Sequence, residues 1–181
     1  SIIQKGAIRK LIIPILFLFS SELARAELPI GEIPSKIVLQ KDLGGRLDGT
    51  PWSSEELVSG KIIILFHVDP DESELNNHLT EALKAEKFST EKTGSVVVVN
   101  MAASWLPDVT INNKLKIKQD EYKTTVYVKD IKKTLVEKWG LNDDSNNIIL
   151  FGKDGKVLYS VDGEFTEAQV QELINVIKVS L

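Results

Sequence analysis

Acidic side chains cluster directly after an apolar run at residues 61–68. Asp69, Asp71 and Glu74 follow one another closely, and carboxylate oxygens are the ligands that Ca²⁺ prefers in proteins. The spacing Asp69-x-Asp71-x-Ser73 matches the start of an EF-hand loop, but the glycine such a loop needs at its sixth position is missing. Carboxylates here also stabilise the positive N-terminus of a following helix, and we expect that structural role.

A second polar segment, at residues 142–147, contains two aspartates and three asparagines. The fold derived below brings this segment near the first, and two facing acidic loops could bind a metal, an amine or a basic peptide. The same composition is equally typical of a simple turn. The candidate binding residues are Asp69, Asp71, Glu74, Asp143, Asp144, Asn146 and Asn147.

The two histidines of the chain are the other candidate metal ligands. His67 ends the apolar run and His78 lies in the helix predicted after it, so Asp71 or Glu74 could complete a site. A lone histidine at a strand end is more often a hydrogen-bonded core residue, and we predict neither a metal nor another cofactor. Ser73 lies near His67 without any motif that would orient a nucleophile and its base. We therefore assign no catalytic residue.

Lysines alternate with apolar residues at positions 114–118. The alternation of Lys114, Lys116 and Lys118 predicts an extended segment with the lysines on one face, which is typical of an edge strand protected against aggregation. The alternative is a docking surface for an anionic partner. Trp105, just upstream, could anchor a partner, although we expect its side chain to be buried.

The bulk composition excludes several classes of protein. The 181 residues suffice for one domain, and the net charge of −4 argues against a nucleic-acid partner, because such proteins usually carry a basic face. The chain contains no cysteine, which removes disulfides, thiolate nucleophiles and cysteine-ligated metals. No oligomeric state follows from the sequence.

Residues 1–26 resemble a secretory signal peptide. Lys5, Arg9 and Lys10 precede a short apolar stretch at residues 11–19, and Ala24-Arg25-Ala26 matches the pattern that signal peptidase cleaves. The apolar stretch is about half the ~20 residues that span a bilayer. We therefore predict cleavage after Ala26, membrane contact only during export, and a periplasmic domain at residues 27–181.

Continuous apolar runs predict a parallel sheet in that domain. The runs at residues 61–68 and 95–101 are typical of strands buried on both faces, and a helical pattern from Asp71 or Ser73 to about Lys87 separates them. Ahead of these runs, the glycine- and aspartate-rich residues 42–49 predict a turn or hairpin, and Ser53 with Glu56 predicts a capping box. A later strand, a hairpin around residues 152–155 and a final helix that begins with a capping box at Thr166 complete the order. The sequence therefore predicts an α/β fold with a central mixed sheet flanked by helices.

This order resembles the thioredoxin-like fold of the exported, peroxiredoxin-related branch, over roughly residues 28–181. Trp139-Gly140-Leu141 and the segment from Phe151 to Val157 are similar to the steps that lead into and form the last hairpin of those proteins. Within that superfamily the chain most resembles the YtfJ family, small periplasmic proteins of undetermined function. The residues that carry this likeness are the His67-Val68 strand end, the helix from Glu74 to Lys87, and residues 139–163.

The resemblance also shows what this chain lacks. A working thioredoxin carries two cysteines at the helix start after its central strand, and Asp71 and Glu74 stand approximately at those positions here. The proline that faces the cysteines is absent, and Asn146 and Asn147 occupy its neighbourhood. We therefore expect no thiol–disulfide or thiol peroxidase activity.

Our leading hypothesis is a non-catalytic binding module. Loops 68–75 and 142–147 would form an edge that binds an unidentified periplasmic protein or peptide. The first alternative is a metal- or small-ligand-binding protein that uses His67, Asp69, Asp71 and Glu74. The second is an enzyme that works without cysteine.

Overall fold

The computed structural model describes residues 28–181, which fold around one six-stranded sheet. The strands are β1 (Val38–Leu39), β2 (Gly44–Arg46), β3 (Trp52–Ser53), β4 (Ile62–Val68), β5 (Thr93–Asn100), β6 (Thr125–Asp130), β7 (Asn146–Phe151) and β8 (Val157–Asp162). The helices are α1 (Asn77–Glu86), α2 (Asp108–Glu121), α3 (Thr134–Trp139) and α4 (Glu167–Ser180). The large sheet has the order β2-β6-β5-β4-β7-β8, and β1 pairs with β3 in a separate ribbon.

The centre of the sheet is parallel, as the apolar runs predicted. Strand β5 pairs in parallel with β4 on one side and with β6 on the other, and α1 and α2 form the two crossovers. Strand β7 lies antiparallel to β4, and β2 and β8 complete the two edges in antiparallel register. The predicted mixed sheet flanked by helices is confirmed.

The two faces of the sheet bury separate cores because side chains alternate along a strand. Ile63 and Leu65 of β4 pack on one face with Trp139 of α3 and with the segments before β4. Ile62 and Ile64 pack on the opposite face against α1 and α4. On that same face α2 covers the end of β5 and part of β6.

Both predicted capping boxes are present. Ser53 and Glu56 exchange side-chain and backbone hydrogen bonds at the start of a short 3-10 turn, residues 54–57. At α4, the backbone amide of Gln169 donates to Thr166 Oγ1 at 3.1 Å, and the backbone amide of Thr166 donates to Gln169 Oε1 at 2.9 Å. Such a cap stabilises a helix by about 1 kcal/mol.

The two edges of the sheet are covered or short. At the outer edge, Leu28 N donates to Ser160 Oγ at 3.0 Å and Val157 N donates to the Glu32 carbonyl at 2.9 Å. The opposite edge strand, β2, is three residues long. It lies so close to β6 that a Cβ on Gly44 would overlap the Lys129 carbonyl oxygen.

The lysine segment is a helix, and the prediction of an extended edge was wrong. Ile111 and Leu115 are buried four residues apart, which is the spacing of one helix face, and α2 packs them on the sheet. Ile117 misled the prediction because it is 65% exposed and merely mimics an alternating pattern. Lys114 and Lys118, four residues apart, therefore share one face of α2, and Lys116 lies on another face.

Three boundaries also differ from the predictions. Helix α1 begins at Asn77, because residues 70–72 form a 3-10 turn capped by Asp69 and not by Asp71 or Ser73. Residues 42–49, predicted as a turn or hairpin, contribute β2 to the large sheet. Residues 146 and 147, predicted in a loop, begin β7.

The predicted signal peptide, residues 1–26, lies outside the described residues. Within residues 28–181 no helix has the length and apolar character needed to cross a membrane.

Candidate functional site

Polar side chains meet at the carboxyl edge of the sheet. The parallel strands β4, β5 and β6 all end there, and antiparallel β7 begins there. Strand pairing places His67 opposite Asn147 and Asn100 opposite Asp130. All four of these polar residues are buried, which is unusual unless hydrogen bonds or a ligand satisfy them.

The His67 ring is held neutral in a fixed orientation. Asn147 Nδ2 donates to the Asn142 carbonyl at 2.9 Å and lies 3.2 Å from His67 Nδ1. Because this nitrogen is a donor, Nδ1 accepts and the ring proton sits on Nε2. Burial lowers the pKa of His67 to about 4, despite the opposing charges of Asp143 and Asp162.

A second network joins β5 to the loop before β7. Asn100 Nδ2 donates to Asp143 Oδ1 at 2.7 Å, and Lys133 Nζ forms an ion pair with Asp143 Oδ2. Burial raises the pKa of Asp143, but the bonds from Lys133 and Asn100 outweigh it and leave the pKa below its usual value. Asp143 is therefore an ionised structural bridge.

Asp130 caps helix α3 from the end of β6. Its two carboxylate oxygens accept from the backbone amides of Thr134 and Leu135, each at 2.9 Å. The side chain is fully buried, and this burial raises its pKa even though both amide bonds oppose the shift. The carboxylate thus satisfies two amides that α3 would otherwise leave unpaired.

The predicted acidic loop after β4 is held by its own carboxylates. Asp69 is buried and accepts from the Asp71 amide at 2.9 Å; its burial raises the pKa of this carboxyl group. Asp71 Oδ1 accepts from Ser104 Oγ at 2.8 Å, and Oδ2 accepts from the Trp105 amide at 3.3 Å. Asp71 therefore ties the loop after β4 to the loop after β5.

The two predicted loops do come together. Asp69 N donates to the Ser145 carbonyl at 2.8 Å, and Ser145 Oγ donates to Asp162 Oδ1 at 2.6 Å. Asn146 Nδ2 approaches the Glu72 carbonyl at 3.5 Å. The chain thus brings segment 142–147 against the acidic loop, as expected from the order of its elements.

Exposed carboxylates and one exposed tryptophan form the surface over this edge. Trp105 is 82% exposed, which contradicts the expectation of a buried side chain. Asp71 bonds the Trp105 amide, and the exposed acidic residues of the two loops at this edge are Asp71, Glu72, Glu74 and Asp144. We call these four carboxylates and Trp105 the acidic surface.

The structure does not assemble the candidate metal ligands of the alternative hypothesis. Among residues 28–181 no group of three or more histidine, aspartate or glutamate side chains is placed to hold a metal ion. His67 faces Asn147, whereas His78 Nε2 lies 2.8 Å from the Phe165 carbonyl. Asp69 already accepts a bond from its own loop, and Asp71 accepts bonds from the loop after β5.

Three residues that matter at this edge were not predicted from the sequence. Asn100 is a polar residue directly after four valines, and that position at a strand end was a usable signal. Lys133 carried no such signal, because only the fold brings it to Asp143. Ser104 likewise acquires its role only through its contact with Asp71.

Buried polar atoms without a partner remain at this edge. Within the described residues, no hydrogen bond reaches His67 Nε2 or the side-chain oxygens of Asn100, Asn146 and Asn147. Such groups usually bind ordered water or a ligand. The edge therefore buries polar atoms among the apolar side chains of the core.

A large groove lies elsewhere in the described part of the chain. It occupies about 1150 Å³ between α1 and α2, over β4 and β5, and only its end reaches Pro70, Ser73 and Asn146. The predicted loops therefore border this groove without lining most of it.

Residues 34–180 match a family described as "Bacterial protein of unknown function (YtfJ_HI0045)". This match spans most of the chain. The chain belongs to the YtfJ family. The resemblance stated from the sequence is thus confirmed at the level of the family.

Two relatives of this YtfJ-family chain have comparable length. It is 26% identical over 147 residues to the uncharacterized protein YtfJ of Escherichia coli, covering 79% of this chain and 77% of that protein. It is also 26% identical over 130 residues to an uncharacterized protein of Haemophilus influenzae, covering 70% of each.

Solved structures confirm the thioredoxin-like fold. The pneumococcal exposed lipoprotein thioredoxin of Streptococcus pneumoniae aligns with a TM-score of 0.56 at 16% identity, covering 78% of the YtfJ-family chain and 98% of that protein. Because this chain has no cysteine, it cannot perform thiol–disulfide chemistry on that fold.

Proposed function

We propose that this YtfJ-family protein is a non-catalytic periplasmic binding module that captures a basic protein or peptide segment on the acidic surface. The observation that supports it is Trp105, 82% exposed on a loop whose backbone is held by Asp71. Tryptophan is the residue type most enriched among interface hot spots. A fixed, exposed tryptophan suits binding better than an unanchored one, because less conformational entropy is lost on association.

The charge around Trp105 selects the kind of partner. The acidic surface presents four exposed carboxylates, while the nearest lysine of the edge, Lys133, is already paired with Asp143. Such a surface attracts lysine- or arginine-rich segments and repels acidic ones. The partner therefore combines basic side chains with an apolar group that covers Trp105.

Export supports the proposed compartment. The basic, apolar and small-residue order of residues 1–26 fits a cleaved signal peptide, which would release residues 27–181 into the periplasm. A periplasmic protein without cysteine is also insensitive to the oxidising conditions there.

The metal and enzyme alternatives have weaker support. Asp69 and Asp71 would have to give up their loop hydrogen bonds to take a cation. His67 Nε2 is buried, so a substrate would reach it only after the edge opened. Neither hypothesis has an observation comparable to Trp105.

Intrinsic fluorescence tests the proposal directly. Trp52 and Trp139 are buried, so a change in emission on adding a partner reports on Trp105. We expect lysine-rich peptides that contain leucine to shift the emission to the blue, whereas matched glutamate-rich peptides leave it unchanged. Binding should weaken as salt rises, because exposed charges are screened.

Variants identify the surface. Trp105→Ala and Glu72→Gln/Glu74→Gln should each weaken binding at least tenfold, measured by calorimetry with the best peptide. Val179→Ala removes another exposed apolar side chain, on α4, and should bind as the wild type does. Equal binding by Trp105→Ala and the wild type would refute the proposed surface.

Crosslinking in envelope extract then searches for the natural partner. A protein retained by residues 27–181 and lost with Trp105→Ala would support the proposal. A protein retained equally by both would place the binding surface elsewhere.

A further inference from the structure

The groove between α1 and α2 has a continuous apolar floor. Side chains alternate along a strand, and Ile64, Phe66 and Val68 of β4 all point to the face on which the groove lies. Val97 and Val99 of β5 extend the same floor. Seven residues of β4 give this floor a length of ~20 Å.

The rim of the groove is basic, although the whole chain is acidic. Of the described residues that line it, five are lysines and one, Glu81, is acidic. The net charge of the chain is −4, so this positive rim is not a consequence of overall composition. It is a local field that favours an anion.

Two of these lysines converge at one end of the groove. Lys84 Nζ donates to the Tyr122 hydroxyl at 2.7 Å and lies 4.9 Å from the ring centre. Lys118 Nζ lies 5.5 Å from the same ring centre. These side chains bring α1 and the end of α2 together, so two ammonium groups stand beside one aromatic ring. Each also has a carboxylate neighbour, since Glu81 lies 3.3 Å from Lys84 Nζ and Glu121 lies 4.0 Å from Lys118 Nζ. Both pairs are exposed, and exposed ion pairs contribute little, so an anionic ligand can compete with them.

The opposite end of the groove is different in character. Asn146 lies there with its side-chain oxygen buried and without a hydrogen bond among the described residues. The apolar floor therefore stops at Val68, and the groove is cationic at one end and apolar along its length.

We propose that this groove binds a single-chain anionic amphiphile. The acyl chain would lie on the floor formed by β4 and β5, and the anionic headgroup would lie between Lys84 and Lys118. The volume of about 1150 Å³ exceeds what such a ligand needs, since ligand pockets usually measure ~300–1000 Å³. The floor is recessed between two helices, which suits one chain and not a flat bilayer surface.

This site is separate from the acidic surface. Trp105 does not line the groove, so the two binding activities can be measured independently. Failure of peptide binding would leave the groove proposal intact, and the reverse also holds.

Displacement of a fluorescent fatty acid tests the groove. Residues 27–181 contain every described element and each buried core cluster, so this form is used. We expect it to bind cis-parinarate saturably and to release it on addition of palmitate. Hexadecanol, which has the chain without the charge, should compete at least tenfold more weakly. Absence of saturable binding, or equal competition by hexadecanol, would overturn the proposal.

Charge-reversal variants locate the headgroup. Lys114 and Lys118 are exposed on α2 and line the groove, so Lys114→Glu/Lys118→Glu should weaken palmitate binding at least tenfold. Lys138→Glu/Lys153→Glu changes the net charge equally at exposed lysines outside the groove and should bind as the wild type does. Equal losses in both double variants would overturn the proposal.

A filled groove provides an independent test. Thr80 of α1 lines the groove, and Thr80→Trp should abolish palmitate binding while thermal unfolding stays cooperative. Retained palmitate binding in this variant would overturn the proposal. Binding to phosphatidylglycerol vesicles without binding of palmitate would also overturn it, in favour of a membrane-surface role.

Discussion

The carboxyl edge of the sheet and the groove between α1 and α2 use polar residues in opposite ways. At the edge, Asp130, Asp143 and Asp71 are each held by two hydrogen-bond or ion-pair partners. In the groove, exposed lysines surround an apolar floor. The polar bonds of the edge therefore stabilise the fold, whereas the charges of the groove form only exposed pairs, such as Lys84 with Glu81 and Lys118 with Glu121, that contribute little to stability. The net charge of −4 is a sum over the whole chain, so it does not reveal that the edge is acidic and the groove basic.

The largest expected effect is at Asp130. Asp130→Ala leaves the amides of Thr134 and Leu135 buried without an acceptor, and each such loss costs ~1–3 kcal/mol. We expect the free energy of unfolding to fall by about 4 kcal/mol, measured by urea denaturation. Asp130→Asn retains one acceptor oxygen and should lose about half as much. A loss below about 1 kcal/mol in Asp130→Ala would show that the edge is not held by this cap.

His67 gives the next largest effect, and it depends on pH. In the unfolded chain the His67 ring has its ordinary pKa of 6.5. In the folded chain the pKa of the ring is about 4. Between these values the unfolded state binds more protons, so stability is lost as the pH falls. The loss attributable to His67 is on the order of 3 kcal/mol.

Unfolding curves across that pH range check the contribution of His67. The His67→Gln variant should lose this part of the pH dependence, whatever its absolute stability. His78→Gln serves as the control because His78 lies on α1 and bonds a backbone carbonyl. The same pH slope in His67→Gln and the wild type would contradict the burial of a neutral ring.

Asp71 gives a smaller effect that links the edge to its surface. Asp71→Ala removes the bonds to Ser104 and to the Trp105 amide at an exposed site, so stability should fall by only about 1 kcal/mol. If the loop is released, Trp105 should become more mobile, and its fluorescence anisotropy should fall below that of the wild type. Unchanged anisotropy would mean that Asp71 does not position Trp105.

The smallest effect is expected in the groove. Lys114→Ala/Lys118→Ala should change the free energy of unfolding by less than about 0.5 kcal/mol, because exposed charges contribute little. Thermal denaturation at low and high salt measures this. A loss of unfolding free energy as large as that of Asp130→Ala would show that the groove lysines stabilise the fold as much as the polar bonds of the edge do.

The buried strands and capped ends could be predicted because their signals are local. Continuous apolar runs mark β4 and β5, and the residues of each capping box are three apart. Helix α2 could not be predicted in this way. Its buried contacts come mainly from Ile111 and Leu115, and the exposed Ile117 obscures the helical period.

The candidate site was predictable in its residues but not in their roles. The meeting of segment 142–147 with the acidic loop follows from the strand order. The structural role of the acidic loop was expected, and Asp69 fulfils it through the Asp71 amide two residues away. The structural role of Asp143 depended on Asn100 and Lys133, which only the fold brings to it. The exposure of Trp105 depends on how its loop crosses the edge, which no local pattern encodes.

The covered outer edge of the sheet bears on self-association. Residues 28–32 lie along β8 and occupy backbone groups of that strand, and the opposite edge offers only the three residues of β2. Open strand edges are the usual templates for intermolecular sheet extension and amyloid growth. Because Val157 is already paired with residues 31 and 32 and β2 has only three residues, each edge gives a second molecule a short template for sheet extension.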